Sequence, residues 1–239
     1  MTYNLGTSGW SYQDWKGRFY PTDIPQKNWL SFYARTFNTV EINMTFYRYP
    51  KPDTLKAWLD KTPKDFTFTL KANRQITHLK RIKGVKNEVR HFTVLADSLR
   101  DRLGCILFQL PPSLTLDLGL LKDFLSHLSS DHRNVLEFRH QSWYAEDVFE
   151  MLRVHKVIFC VVSSPQLPED IIETAETAYF RFHGRVGWYK YDYSDDELKD
   201  WAEAIKKIKA KECFIYFNND YHAYAAANCK NLEKYLRAE

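Results

Sequence analysis

Eight short stretches of alternating apolar and polar positions, rich in β-branched and aromatic residues, recur near residues 3–8, 38–43, 66–71, 104–110, 134–139, 157–163, 178–183 and 213–218. This alternation predicts strands whose two faces meet different surroundings. In the third stretch Phe66, Phe68 and Leu70 share one face and Thr67, Thr69 and Lys71 the other. The second separates Val40 and Ile42 from Thr39, Glu41 and Asn43, and the fifth Leu136 and Phe138 from Val135, Glu137 and Arg139. The seventh sets Phe180 and Phe182 against Tyr179, Arg181 and His183. Between the stretches the apolar spacing becomes helical, near 26–36, 53–60, 88–101, 117–128, 145–154 and 222–237. It is plainest after Ser194, where Ser-Asp-Asp-Glu forms a capping box and Leu198, Trp201, Ala202, Ile205 and Ile208 follow. The segment SSPQLPEDIIETAET, joining strands six and seven, has room only for a short or irregular helix.

Strands alternating with helices predict parallel pairing, and closing the sheet removes both exposed edges. The expected architecture is an α/β fold, a single TIM-type (β/α)8 barrel over residues 1–239, irregular between strands 6 and 7. An open doubly wound sheet is the alternative, but Gly6-Thr-Ser-Gly9-Trp after the first strand lacks the Gly-rich phosphate fingerprint of such folds. In a barrel the apolar faces turn outward to the helices, and the carboxyl ends of the strands gather where the active site is built. That face collects Glu41, Asn43, Lys71, Gln109, Glu137, Arg139, Arg181, His183, Asn218, Asn219 and Asp220.

Composition adds limits rather than direction. The formal net charge of +4 is too small to imply nucleic-acid binding by itself. The four cysteines are scattered, without a CxxC spacing, and read as reduced, buried hydrophobes. There is no signal-like N-terminal segment and no apolar run of membrane-spanning length, so a soluble, cytoplasmic protein with no membrane partner is expected. Oligomeric state is not legible.

Several constellations carry candidate chemistry. Glu41 and Glu137 are acid/base candidates, since an enclosed carboxylate whose pKa is raised by desolvation holds a proton near neutrality. The alternative is a structural role as interior salt bridges with Lys71, Arg139 or Arg181. Lys71 suits electrostatic, proton-transfer or Schiff-base work if its own pKa is lowered. Arg139 and Arg181 suit bidentate recognition of phosphate or carboxylate, and Arg74, Lys80, Arg81, Lys83 and Lys86 add a basic stretch after strand three that reads equally as a solvated loop.

His78, His140 and His183, together with Glu41, Glu137 and Asp220, offer a set for Zn or Mn. Against it stand the three nearby cations and the absence of HExxH, so no cofactor is the main expectation. Trp10, Tyr12, Trp15, Tyr20, Tyr47, Trp143, Trp188, Tyr189, Tyr191 and Tyr193 all follow strands; part of this set is expected to plug the barrel and part to stack on a ring. GRVGWYKYDY is a candidate lid.

The strings GTSGWSYQDWKGRFYP, FNTVEINMTFYRYP, FTFTLKANRQITH, LGCILFQLPPS, VLEFRHQSW, YFRFHGRVGWYKYDYS and YFNND together resemble the YecE-like family, domain of unknown function 72. The resemblance implies a TIM-type barrel and brings no established activity. Its motif positions fall here on Trp10, Glu41, Asn43, Tyr47, Lys71, His78, Gln109, Glu137, Arg139, Trp143, Arg181, His183, Gly184, Tyr189 and Asn219.

The reading that follows is an enzyme acting by acid/base chemistry on a small anionic, ring-bearing ligand, nucleotide-like or sugar-phosphate-like, with hydrolase and lyase chemistry both open. Glu41, Lys71, Glu137, Arg139, Arg181 and His183 are the catalytic candidates. Trp10, Tyr12, Asn43, Tyr47, Arg74, His78, Gln109, Trp143, Tyr189, Asn218, Asn219 and Asp220 are the expected ligand contacts. A metal-dependent phosphodiesterase resembling endonuclease IV and a non-catalytic nucleic-acid-binding module are the alternatives.

Overall fold

The computed structural model describes residues 1–238. Eight parallel strands, β1 (Thr2–Thr7), β2 (Thr39–Ile42), β3 (Thr67–Lys71), β4 (Leu103–Gln109), β5 (Asn134–Glu137), β6 (Ile158–Ser163), β7 (Thr177–Phe182) and β8 (Glu212–Phe217), pair in the order β1-β8-β7-β6-β5-β4-β3-β2. Helices α1 (Trp29–Tyr33), α2 (Met44–Tyr47), α3 (Pro52–Asp60), α4 (Lys86–Asp97), α5 (Leu118–Leu125), α6 (Glu146–Val154), α7 (Asp195–Lys206) and α8 (Tyr224–Arg237) lie between or after them. The strands therefore form a nearly closed TIM-type barrel.

Residues 164–176, between β6 and β7, contain no helix. Hydrogen bonds hold this coil instead. Thr174 Oγ1 accepts from Phe159 N (2.8 Å) and donates to Val157 O (2.7 Å), and the Glu173 carboxylate accepts from Lys209 N (2.8 Å) and Ala210 N (2.7 Å).

The two faces of the strands separate as the alternation requires. Phe68, Leu70, Leu136, Phe138, Phe180 and Phe182 pack outward beneath the helices, in the larger core. Leu107, Val135, Cys160, Tyr179, Phe214 and Tyr216 fill the barrel itself. Hydroxyls buried there satisfy one another: Tyr216 Oη lies 2.7 Å from Thr39 Oγ1 and donates to Thr69 Oγ1 at 2.8 Å. All four cysteines are buried and free of disulfides, in keeping with their apolar settings.

Closure between β1 and β2 rests on few backbone contacts, a Ser8–Glu41 bridge in which Gly9 N donates to Glu41 O at 2.8 Å. Side chains complete the seam. Asn38 Oδ1 accepts from Leu5 N (2.9 Å) while its Nδ2 donates to Tyr3 O (3.0 Å). Tyr33 Oη accepts from Thr7 N (2.7 Å) and donates to Thr39 O (3.1 Å). Gly6 leaves room for this arrangement, because a Cβ there would sit 2.1 Å from Thr39 O. Tyr33→Phe leaves a buried donor on β1 and a buried acceptor on β2 without partners. It is expected to lower unfolding free energy by about 1–3 kcal/mol in urea titrations; an unchanged midpoint would show that water or rearranged backbone closes the seam.

Candidate functional site

At the carboxyl end of the barrel the interior faces of β2, β5 and β7 meet in one charged layer. Arg181, on β7, is fully buried and lies between two fully buried carboxylates, Glu41 on β2 and Glu137 on β5. Its Nη2 donates to Glu41 Oε1 (2.6 Å) and its Nη1 to Glu137 Oε2. Glu41 also accepts from Ser8 Oγ, and from Tyr179 Oη at 2.5 Å. The second Glu137 oxygen accepts from Arg139 Nε. Two carboxylates thus face two guanidiniums, and the layer is neutral without any other group.

His183 completes this layer. Its Nε2 lies 2.9 Å from Arg139 Nη2 and 3.4 Å from Arg181 Nη1, and its Nδ1 lies 3.1 Å from the Asn218 amide. Two cationic donors at Nε2 require a lone pair there, so the ring is neutral. Burial, reinforced by Arg139 and Arg181, holds its pKa well below 6.5. For Glu137, burial pushes upward, but Arg139 and Arg181 outweigh it and hold the carboxyl well below 4.5.

This arrangement corrects three expectations. Glu137 is kept ionised rather than raised toward neutrality, and neither it nor Glu41 lines the mouth cavity. Arg181 has both Nη groups committed to carboxylates and no exposed surface, so it is a strut between strands rather than a fork presented to a ligand. Lys71 is not a partner of either glutamate; it forms no ion pair among the described residues.

Lys71 instead ends β3 in a cavity of about 390 Å³ lined also by Tyr12, Asn43, Tyr47, Tyr189, Asn218 and Asp220. Its ammonium lies 4.5 Å from the centre of the Phe46 ring. Burial, then Arg181, lowers its pKa from 10.5 to about 8, although Glu137 and Glu41 pull the other way. Burial raises the Asp220 pKa across the same cavity. Asn43 Oδ1 is buried without a hydrogen-bond partner.

The aromatic set divides. Trp15, Tyr20, Trp143 and Tyr193 are buried core residues. Trp143 stacks on Phe138 at 4.9 Å and donates to Leu114 O at 2.7 Å, so it is not the ligand contact expected from the sequence. Asn219 is likewise structural: it is buried, and its Nδ2 donates to Tyr191 O (2.8 Å) and Asn228 Oδ1 (2.7 Å), tying the β7–α7 loop to α8. Trp10 packs edge-on to Trp58 in a separate surface hollow. Tyr12, Tyr47 and Tyr189 border the cavity. Trp188 lies over Arg139, 4.8 Å from guanidinium carbon to ring centre, so the expected lid segment covers the ionic layer.

The basic stretch after β3 is folded rather than loose. Ile76, Ile82 and Val85 are fully buried, Lys80 pairs with Glu88, and Arg81 donates to Ser113 Oγ (2.9 Å) and Ser113 O (2.8 Å). Arg74, Lys83 and Lys86 stay exposed. The expected metal set is dispersed: His140 caps a turn through Ser142 N (3.1 Å), His78 packs edge-on to Phe46, and His183 faces guanidiniums. Among the described residues no three His, Cys, Asp or Glu are placed to hold a metal ion. Nor is any described helix long and apolar enough to cross a membrane.

Sequence reasoning missed Ser8 and Tyr179, which complete the coordination of Glu41. Period two already sets Tyr179 on the interior face with Arg181, but only the register of the barrel, in which Ser8 bridges to Glu41, brings both hydroxyls to that carboxylate.

A family model described as "Protein of unknown function DUF72" matches residues 4–239. The UPF0759 protein YunF of Bacillus subtilis is 27% identical over 98% of this chain and 95% of its own length. The UPF0759 protein YecE of Escherichia coli K12 is 31% identical over 59% of this chain and 50% of its own. The crystal structure of a DUF72 family protein from Thermotoga maritima superimposes with TM-score 0.92 at 34% identity, covering all of both chains. One from Enterococcus faecalis, at 22% identity with TM-score 0.85 over 100% of this chain and 96% of that one, shares the fold.

Proposed function

The chain belongs to the DUF72 family, and from that premise we propose that its barrel mouth is an enzyme site for a small anionic, ring-bearing ligand, nucleotide-like or sugar-phosphate-like, with Lys71 as the proton-transferring group. The observation that carries this reading is the placement of Lys71. The neighbouring glutamates and guanidiniums neutralise one another, whereas Lys71 forms no ion pair among the described residues and faces a cavity of about 390 Å³. A lysine held near neutrality by burial is matched to general acid/base work. The tyrosines at the rim suit stacking against a flat or ring-bearing body, and Asn43 Oδ1 offers an acceptor to a hydroxyl or amine. The cavity volume falls within the range of small-molecule sites.

A panel of sugar phosphates and nucleoside monophosphates, followed by ³¹P NMR and mass spectrometry, tests the reading. Wild type should consume at least one compound, and Lys71→Arg, which keeps a charge it cannot lose, should slow that reaction by about 10²–10⁴-fold. The wild-type rate should show a limb near pH 8, set by Lys71. Consumption that Lys71→Arg leaves intact would remove Lys71 from this role.

A further inference from the structure

Beside Lys71, the ends of three neighbouring strands present donors with nothing to bind. β3 pairs with β4 and β4 with β5, in a register that sets Lys71 opposite Leu107 and Gln109 opposite Glu137. Each strand therefore carries its last interior side chain two residues further up than the strand before: Lys71, then Gln109, then Arg139 just beyond β5. Arg139 uses Nε for Glu137 and Nη2 for His183, which leaves Nη1. Neither Nη1, the Gln109 amide nor Lys71 Nζ makes a hydrogen bond to a described residue. All three side chains keep partial exposure, and none of these atoms is among the buried groups left unpartnered.

The two glutamates nearest this staircase are already engaged. Both oxygens of Glu137 are taken by Arg139 and Arg181, and Glu41 is held by Arg181, Ser8 and Tyr179. Asp220 and the tyrosines line the cavity with Lys71. The pKa of His78, after β3, is lowered by burial and then by Lys71 and Arg139, with Glu137 opposing. Lys71 is therefore left without an ion pair among the described residues, and an anion seated against it and Arg139 Nη1 would supply one.

We propose that the ends of β3, β4 and β5 form a site for the tetrahedral oxyanion of a phosphate monoester, gripped by Lys71, Gln109 and Arg139. The inference rests on the mouth being a ligand site and names the group by which the ligand is held. A planar carboxylate is best served by one guanidinium fork, but two of the three nitrogens of Arg139 are already committed. Single donors arriving from three strands match three phosphate oxygens instead. The ring then extends toward Tyr12, Tyr47 and Tyr189.

Inorganic phosphate is the probe, with acetate as the planar comparison at equal ionic strength, and acetic anhydride labelling of Lys71 read by peptide mass spectrometry. Phosphate should slow labelling of Lys71 at pH 7, below its pKa of about 8, by about tenfold relative to surface lysines, as a rise of one pKa unit requires. Acetate should not. Gln109→Glu, which places a carboxylate among the donors, should abolish the phosphate effect while circular dichroism and melting confirm the fold. Equal protection by acetate, or phosphate protection that survives in Gln109→Glu, overturns the proposal. Absent protection alongside Lys71-dependent turnover overturns the oxyanion site and leaves the catalytic reading standing. Protection without turnover supports the oxyanion site and removes the catalytic reading.

Discussion

Arg181→Met will lower the unfolding free energy by about 3–5 kcal/mol, a large share of the 5–15 kcal/mol that a domain typically has. The reason is geometric. Among the described residues Arg181 is the only cation bonded to Glu41 and one of two bonded to Glu137, and all three side chains are fully buried. Removing it leaves Glu41 in the barrel with only hydroxyl donors and sets two carboxylates facing each other across the place it occupied. Glu41→Gln in the same background should recover part of the loss, because Glu137 still has Arg139. Urea titrations followed by circular dichroism measure both steps. A loss below about 1 kcal/mol for Arg181→Met, or no recovery in the double variant, would mean that water reaches the layer and screens it.

The same layer sets the acid limb of stability. His183 has its pKa held well below 6.5 in the fold, so below pH 6.5 the unfolded chain takes up a proton that the folded one refuses. Stability therefore falls as pH drops through 6.5. Glu137 has a depressed pKa, so its contribution is complete above 4.5 and is lost progressively as pH falls below that.

The amino-acid pattern exposed the barrel well, because alternation reports directly on which face of a strand meets helices. Phe68 and Leu70 pack outward and Thr69 inward, as period two demands, and residues 164–176, expected to hold a short or irregular helix, form a coil with none. The membership of the charged layer was legible for the same reason. Its pairing was not. Glu41 and Lys71 lie on adjacent strands, β2 and β3, yet Glu41 bonds to Arg181 across the barrel. Which cation reaches which carboxylate depends on height along the axis, and therefore on strand stagger, which a single strand's pattern does not contain. The fate of Trp143 and Asn219 was hidden likewise: both follow strands, but the loop after each turns the side chain into the core.

Lys71→Met will raise stability at pH 7 by about 2–3 kcal/mol and, under the proposed function, end turnover. With its pKa lowered from 10.5 to about 8, Lys71 is protonated in both states below pH 8, and there the fold bears the whole penalty of keeping an ammonium from water. Methionine keeps an unbranched side chain on the Phe46 ring and removes the charge. The sign is opposite to that of a paired lysine: between pH 8 and 10.5 the unfolded chain holds the proton more tightly, so wild type gains stability as pH rises. The advantage of Lys71→Met should accordingly shrink above pH 8 and vanish near 10.5, which urea titrations at stepped pH will show. A variant no more stable than wild type at pH 7, or an advantage independent of pH, would mean that Lys71 is satisfied by groups within the fold. A destabilising lysine beside two completed glutamate–arginine bridges is instead what the proposed site requires, its missing partner being the ligand.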